Sequence, residues 1–128
     1  MEKVLDLYQE PINKYEPLIT MDELSKQLTK ETRTPIAAQT GHSEKYDYEY
    51  ERNGTANIFM LYAPHNNWRD VKVTDQRTAK DWAKLMHDLV YVHFPKATKI
   101  KLVMDNLNTH KLGSLYKAYK AEVARDIA

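Results

Sequence analysis

A helix from about Thr78 to Phe94 is the feature that most constrains how this chain can fold. Thr78 and Asp81 form a capping pair at its start, and Pro95 stops it. Its mostly apolar stripe consists of Trp82, Leu85, Met86, Leu89, Val90 and His93, with Lys80, Lys84 and Asp88 opposite. Such a helix requires a second apolar surface to pack against.

Strands are predicted on both sides of this helix, at Trp68–Thr74 before it and at Ile100–Asp105 after it. The order strand, helix, strand predicts a parallel neighbour reached by a right-handed crossover. An earlier run, Pro17–Asp22, is nearly continuous in apolar residues, so we expect a central strand covered on both faces. The simplest product is a mixed α/β sheet with the Asp105 strand beside the Asp22 strand.

The middle of the chain predicts a hairpin. Tyrosines alternate with acids from Tyr46 to Glu51, which is a period-two pattern, and Thr55–Tyr62 reads as the returning strand. Asn53-Gly54 between them suits a type I′ turn, in which both central residues have positive φ. We favour cross-strand packing for the tyrosines over a stacking platform for single-stranded nucleic acid, because the acids between them would repel phosphate.

Less regular patterns lie at the two ends of the chain and between residues 24 and 45. A short helix is expected around Val4, Leu7 and Tyr8, and one last amphipathic helix carries Leu112, Leu115, Tyr116, Tyr119 and Val123. Residues 24–45 contain turn signals and are expected to be an irregular excursion.

Composition limits the class of protein. The 128 residues suffice for one domain with a real core, and they include no cysteine for disulfides or thiolate zinc sites. No apolar run approaches the roughly 20 residues needed to span a bilayer, and we expect a cytoplasmic protein. The net charge of +1 gives no support for nucleic-acid binding.

Asp22 and Asp105 each follow an apolar run that reads as a strand. Because parallel strands bring their carboxyl ends to one edge, the two acids are expected to lie together there. Paired carboxylates of this kind hold divalent cations, as in two-metal phosphoryl transfer. The alternative is that both aspartates merely cap loops.

Four stretches resemble a bacterial insertion-sequence transposase of the mariner-related superfamily. They are Met21-Asp22-Glu23, Tyr46 to Asn57, Val71 to Asp75 and Leu102-Val103-Met104-Asp105-Asn106-Leu107-Asn108-Thr109-His110. The resemblance covers nearly the whole chain, and its most specific parts are the Asp-Asn-x-x-x-His signature and the tyrosine-rich segment. It implies a ribonuclease H-like fold, DNA transposition, and a triad of acids that binds two Mg²⁺ or Mn²⁺ ions.

By that resemblance, Asp22 and Asp105 are the first two catalytic and metal-binding acids. Asn106 and His110 match signature positions and are expected to orient Asp105 or to contact DNA. From the residues themselves, an ordinary hydrogen bond is favoured over a ligand role for His110. Glu23 is expected to point to the face opposite Asp22 and to be a structural or surface residue. Asp75 is expected to have a role in the loop that follows its strand.

The resemblance also implies parts that are expected to be missing. The third acid would lie beyond Ala128, together with the last strand and the last catalytic helix, and helix-turn-helix modules would precede Met1. Residues 1–128 are therefore expected to be a single partial catalytic domain, inactive alone. DNA at the transposon ends, a downstream polypeptide that completes the fold, and a homodimer are the expected partners. The alternative is a non-catalytic interaction or oligomerisation module.

Overall fold

The protein is an α/β domain, seen in a computed structural model that describes residues 1–32, 34–45 and 49–128. The helices are α1 (Glu2–Gln9), α2 (Ala79–Asp88), α3 (Leu112–Ala118) and α4 (Ala121–Ile127), and the strands are β1 (Leu18–Glu31), β2 (Tyr50–Ala63), β3 (Trp68–Thr74) and β4 (Lys101–Val103). A π-helical turn, Leu89–His93, continues α2.

The four strands form one mixed sheet in the order β3-β2-β1-β4. Strand β1 pairs antiparallel with β2 and parallel with β4, and β2 pairs antiparallel with β3. The predicted pairing of the Asp22 and Asp105 strands is confirmed, with β1 in a central position. Strand β4 lies at the edge of the sheet in the part of the chain that the structure describes.

One face of the sheet packs against α2, α3 and α4, and the core lies between these layers. The sheet contributes Ile19, Met21, Phe59, Leu61 and Ala63, and the helices contribute Trp82, Ala83, Leu85, Met86, Leu89, Leu115 and Ala124. The predicted apolar stripe of α2 therefore meets the sheet. The capping box at Thr78 and Asp81 is confirmed, and so are the bounds of β3.

The opposite face of the sheet is exposed, which corrects the prediction that β1 is covered on both faces. The exposed large apolar side chains on this face are Leu24, Met60, Tyr62, Val71 and Val73. They lie on neighbouring strands: Met60 pairs with Val71, and Ile58 pairs with both Leu24 and Val73. We call these five residues the bare face. The apolar run Pro17–Asp22 could not reveal it, because a one-dimensional pattern does not show how many layers cover a strand.

Strand β1 does not end at Asp22 but continues to Glu31. The prediction of an irregular excursion from residue 24 is therefore wrong for its first part, because those residues pair with β2. In residues 34–45, isolated bridges join Ile36 to Lys45 and Gln39 to His42.

The predicted type I′ turn at Asn53-Gly54 is also wrong, because both residues lie inside β2. The pairing with β1 shifts between Gln27 and Thr29, opposite this dipeptide, so an extra residue is accommodated there as a bulge. Gly54 has a φ of 84°, whereas Asn53 is not among the residues with positive φ. A type I′ turn needs both. Tyr46, Asp47 and Tyr48 of the predicted alternating strand lie outside the described residues.

The predicted single C-terminal helix is two helices. Tyr119 is extended (φ −130°, ψ 160°) and separates α3 from α4. Its ring stacks on His87, with 5.0 Å between ring centroids. Ala124 of α4 reaches the core. The sequence pattern predicts both segments as helical but contains no signal for the break, which follows from packing against α2.

None of the helices in the described ranges has the length and apolar character that a bilayer-spanning helix requires.

We predict opposite effects for alanine at two glycines. Gly54→Ala should destabilise the fold by about 1–2 kcal/mol, because a Cβ disfavours positive φ. Gly113→Ala, in helix α3, should stabilise it by about 0.5–1 kcal/mol, because nothing within 4 Å obstructs the new Cβ and alanine favours helices. Urea unfolding measures both values. Equal effects of the two substitutions would contradict the bulge.

We predict an acid-sensitive contribution to stability from Asp88. Burial alone would raise its pKa, but the hydrogen bonds and charges of Lys72 and His87 outweigh burial and hold the pKa below its ordinary value of 3.8. Lys72 Nζ lies 3.0 Å from Asp88 Oδ2. A depressed pKa stabilises the fold above the unfolded-state value, and this contribution is lost as pH falls through the folded-state value. Asp88→Asn should therefore cost about 0.2–1 kcal/mol at pH 7 and progressively less on acidification.

The control for Asp88 is Asp75→Asn, since Asp75 is exposed and makes no ion pair within the described ranges. Thermal unfolding between pH 3 and pH 7 checks the comparison. A cost for Asp88→Asn that does not shrink at low pH would contradict the assignment.

Candidate functional site

Asp22 and Asp105 are brought together by the parallel pairing of β1 with β4. The paired residues are Leu18 with Lys101, Ile19 with Leu102 and Thr20 with Val103. Strand β4 ends at Val103, and Asp105 lies two residues further on, in the loop. If that loop kept the register of the ladder, Asp105 would lie opposite Asp22, at the spacing of about 4.8 Å between neighbouring strands.

Asp22 lies on the side of the sheet that the helices leave uncovered, and Asp105 lies in the loop that follows β4. Ile19 and Met21 are buried in the core, and the alternation of a strand sends Asp22 the other way. Asp22 and Asp105 are both exposed to solvent. Asp22 Oδ1 accepts a hydrogen bond from the backbone N–H of Glu23 at 2.8 Å. In the described ranges, neither carboxylate makes an ion pair. The site is thus open to a ligand from solvent.

Two neighbouring carboxylates suit a hard divalent cation such as Mg²⁺ or Mn²⁺, which prefers oxygen ligands. The donor chemistry fits such an ion, but the donor number is small. Within the described ranges, no group of three or more His, Cys, Asp or Glu side chains is arranged to hold a metal. Asp22 and Asp105 would hold an ion only with further oxygen donors from outside this set.

His110 is buried on the helix-covered side of the sheet, where it contacts the segments that carry the two acids. Its Nδ1 is 3.3 Å from the backbone carbonyl oxygen of Asp105, and its Nε2 is 3.1 Å from Glu23 Oε2. Its ring stacks on Trp82, with 5.8 Å between centroids and 24° between planes. Both neighbouring oxygens are acceptors, so a neutral ring donates to one of them and a positively charged ring donates to both.

The loop from Asp105 to His110 is fixed at its far end. The His110 backbone N–H donates to the Leu107 carbonyl at 3.0 Å, and Ser114 Oγ donates to the Thr109 carbonyl at 2.8 Å. Ser114 is buried in α3. The loop that carries Asp105 is therefore anchored to the helical layer as well as to the sheet.

Glu23 is the residue of this site whose contacts the sequence reasoning did not foresee. It points away from Asp22, as predicted, and reaches His110 within the helix-covered layer. Its other carboxylate oxygen, Oε1, lies 3.2 Å from Arg77 Nε. That oxygen accepts no hydrogen bond from any described residue. The available signal was an acid at a core-facing position of β1, since a buried charge requires a partner.

Of the other residues singled out in the sequence, Asn106 directly follows Asp105 in the exposed loop after β4, whereas Asp75 is exposed just after β3. His87 Nδ1 is 3.4 Å from Asp88 Oδ1, and His93 Nε2 is 3.2 Å from Asp70 Oδ2. The His93 contact therefore links the turn after α2 to β3, whereas the His87 contact stays within α2.

A four-stranded mixed sheet, with an acid on β1 and another just after its parallel neighbour β4, defines the protein as an α/β domain. Residues 17–126 match the family described as DDE superfamily endonuclease, and the chain belongs to that family. The match begins just before β1 and ends within α4, so it contains both acids and the whole sheet. No curated protein and no solved structure matches the chain.

Proposed function

We propose that this chain is the catalytic domain of a transposase of the mariner-related, bacterial insertion-sequence type, with a ribonuclease H-like fold. Family membership supports a transposase-type catalytic domain with DNA as substrate. The finer assignment is supported by the segments around Asp22 and from Leu102 to His110, which resemble that group. The observation that carries the proposal is the parallel β1–β4 ladder, which ends two residues before Asp22 on β1 and two residues before Asp105 on the chain after β4.

In this proposal Asp22 and Asp105 hold Mg²⁺ or Mn²⁺ through carboxylate oxygens. When bound, the ion supplies the charge stabilisation that phosphodiester cleavage and strand transfer require. His110 holds the backbone of Asp105 in place, and Asn106 stands exposed beside the site, where its amide can contact DNA. The roles of the protein are to position the acids and to keep the site open to the nucleic acid.

We further propose that the two acids alone do not support DNA cleavage. A third carboxylate is expected in this family, and no group of three suitable side chains exists among the described residues. A second polypeptide could supply that acid, and the free edge of β4 offers a place for an added strand. Activity would then depend on the assembly rather than on this chain.

We predict that the chain binds Mn²⁺ and that both aspartates are needed. Isothermal calorimetry should show binding by the native chain and a loss for Asp22→Asn and for Asp105→Asn. The loss should exceed the roughly tenfold to hundredfold effect typical of residues that only support metal ligands. Asp75→Asn, a third exposed aspartate that follows a strand, is the matched control and should bind like the native chain.

Thermal unfolding of each variant shows whether a loss reflects misfolding. Equal Mn²⁺ affinity in the native chain and in both aspartate variants would refute the metal site. An additional loss for Asp75→Asn would show nonspecific binding by surface acids.

A second candidate function is a non-catalytic interaction or oligomerisation module, and the bare face favours it. A contiguous exposed apolar surface on a sheet often marks an interface. This function needs neither aspartate, so the two proposals are separable by the variants above.

The module proposal predicts self-association through the bare face. Val73→Thr should weaken it at little cost to the strand, since threonine is also β-branched. Val92→Thr is the matched control, because Val92 is exposed to 64% and Val73 to 63%, but Val92 lies on the turn after α2. Sedimentation equilibrium measures the association. A native chain that stays monomeric at high concentration would exclude this homodimer.

A further inference from the structure

Glu23 and His110 form a buried acid–histidine pair at the end of the β1–β4 ladder. Their side chains are exposed to only 4% and 1%, respectively, and their facing atoms lie 3.1 Å apart. Replacing a buried ion pair with apolar residues of similar volume is often neutral or stabilising. Stability alone therefore gives little reason for a carboxylate at this core position.

The pair connects the two segments that carry the paired acids. Glu23 is the chain neighbour of Asp22, and it donates its backbone N–H to the Asp22 carboxylate. His110 contacts the carbonyl of Asp105 with the nitrogen that faces away from Glu23. A continuous line of contacts thus runs from Asp22 through Glu23 and His110 to Asp105.

Strand pairing alone does not fix Asp105. The β4 ladder has three residue pairs and ends at Val103, two residues before the acid. Asp105 lies in the loop that follows, so its distance from Asp22 depends on contacts outside the ladder. The His110 contact to its carbonyl is one such contact, and the Glu23 carboxylate holds the histidine that makes it.

We propose that Glu23 is a positioning residue, which acts through His110 to hold Asp105 beside Asp22 at the spacing that a divalent cation requires. This inference rests on the proposed function for its purpose, but the positioning itself does not depend on a bound metal. Residues that support metal ligands typically contribute tenfold to hundredfold in metal affinity.

The first experiment measures the spacing without metal. The chain has no native cysteine, so Asp22→Cys with Asp105→Cys places a single thiol pair at the two positions. Neighbouring strands bring Cα atoms within the 4.4–6.8 Å range of disulfides. Under mild oxidant this background should crosslink rapidly. Adding Glu23→Leu and His110→Leu should slow crosslinking by about tenfold or more, because reaction between two groups depends steeply on their placement.

The second experiment measures Mn²⁺ affinity in the chain with both aspartates present. Glu23→Leu with His110→Leu should lower the affinity by roughly tenfold to hundredfold while thermal stability stays near the native value. Glu23→Gln, which retains an oxygen that can accept from His110, should recover most of the affinity. Ser25→Ala with Asn57→Leu is the matched control. It removes a part-buried hydrogen bond of 2.5 Å that joins β1 to β2, and it should leave the affinity unchanged.

The outcomes separate this inference from the proposed function. If the two cysteines crosslink equally fast with and without Glu23→Leu and His110→Leu, the positioning role is overturned. Slow crosslinking together with Mn²⁺ binding that does not depend on Asp22 and Asp105 would refute the metal site and leave the positioning role standing. If the variant with Glu23→Leu and His110→Leu does not fold, the crosslinking rate is measured with His110→Gln instead. Its amide cannot reach both Glu23 and the Asp105 carbonyl, so unchanged crosslinking would overturn the proposal.

Discussion

The three-pair parallel ladder between β1 and β4 is the interaction on which the rest of this structure depends. It is short, and the α2 layer stabilises it by covering Ile19 on one strand and Leu102 on the other. The same crossover that brings α2 onto the sheet also returns the chain parallel to β1. Without this pairing Asp105 would have no fixed relation to Asp22, and the candidate site would not exist.

Adjacent residues in β1 have opposite environments because side chains alternate along a strand. Asp22 faces solvent, while Glu23 is buried against His110 and near Arg77. Burying charged groups costs solvation that their mutual contacts often do not fully offset, so stability alone does not account for the Glu23–His110 pair. Under the proposed function, this pair serves to hold the segments that carry Asp22 and Asp105 in a fixed relation.

Strong local signals predicted β3 and α2 correctly. Alternation of apolar and polar residues indicates β3, and the capping box at Thr78 and the stop at Pro95 mark the start and the end of the helix. The prediction of a turn at Asn53-Gly54 was wrong, because a dipeptide that suits a type I′ turn also suits a bulge. Strand β2 stays paired with β1 on both sides of this dipeptide, so a bulge forms there. The break at Tyr119 was equally hidden, since stacking on His87 in another element decides it. For the site, the two aspartates could be chosen from their position after apolar runs, whereas the Glu23–His110 contact joins residues 87 positions apart.

The order of amino acids was sufficient to predict a mixed α/β domain, the amphipathic helix, and Asp22 and Asp105 as the candidate site residues. Each of these predictions depends on periodicity or on short-range chemistry. Tertiary structure decided which face of the sheet is bare, how far β1 extends, and that Glu23 is paired rather than free. These properties depend on which distant segments lie opposite a given residue. A residue's own neighbours in the chain determine which way its side chain points, but not what it meets there.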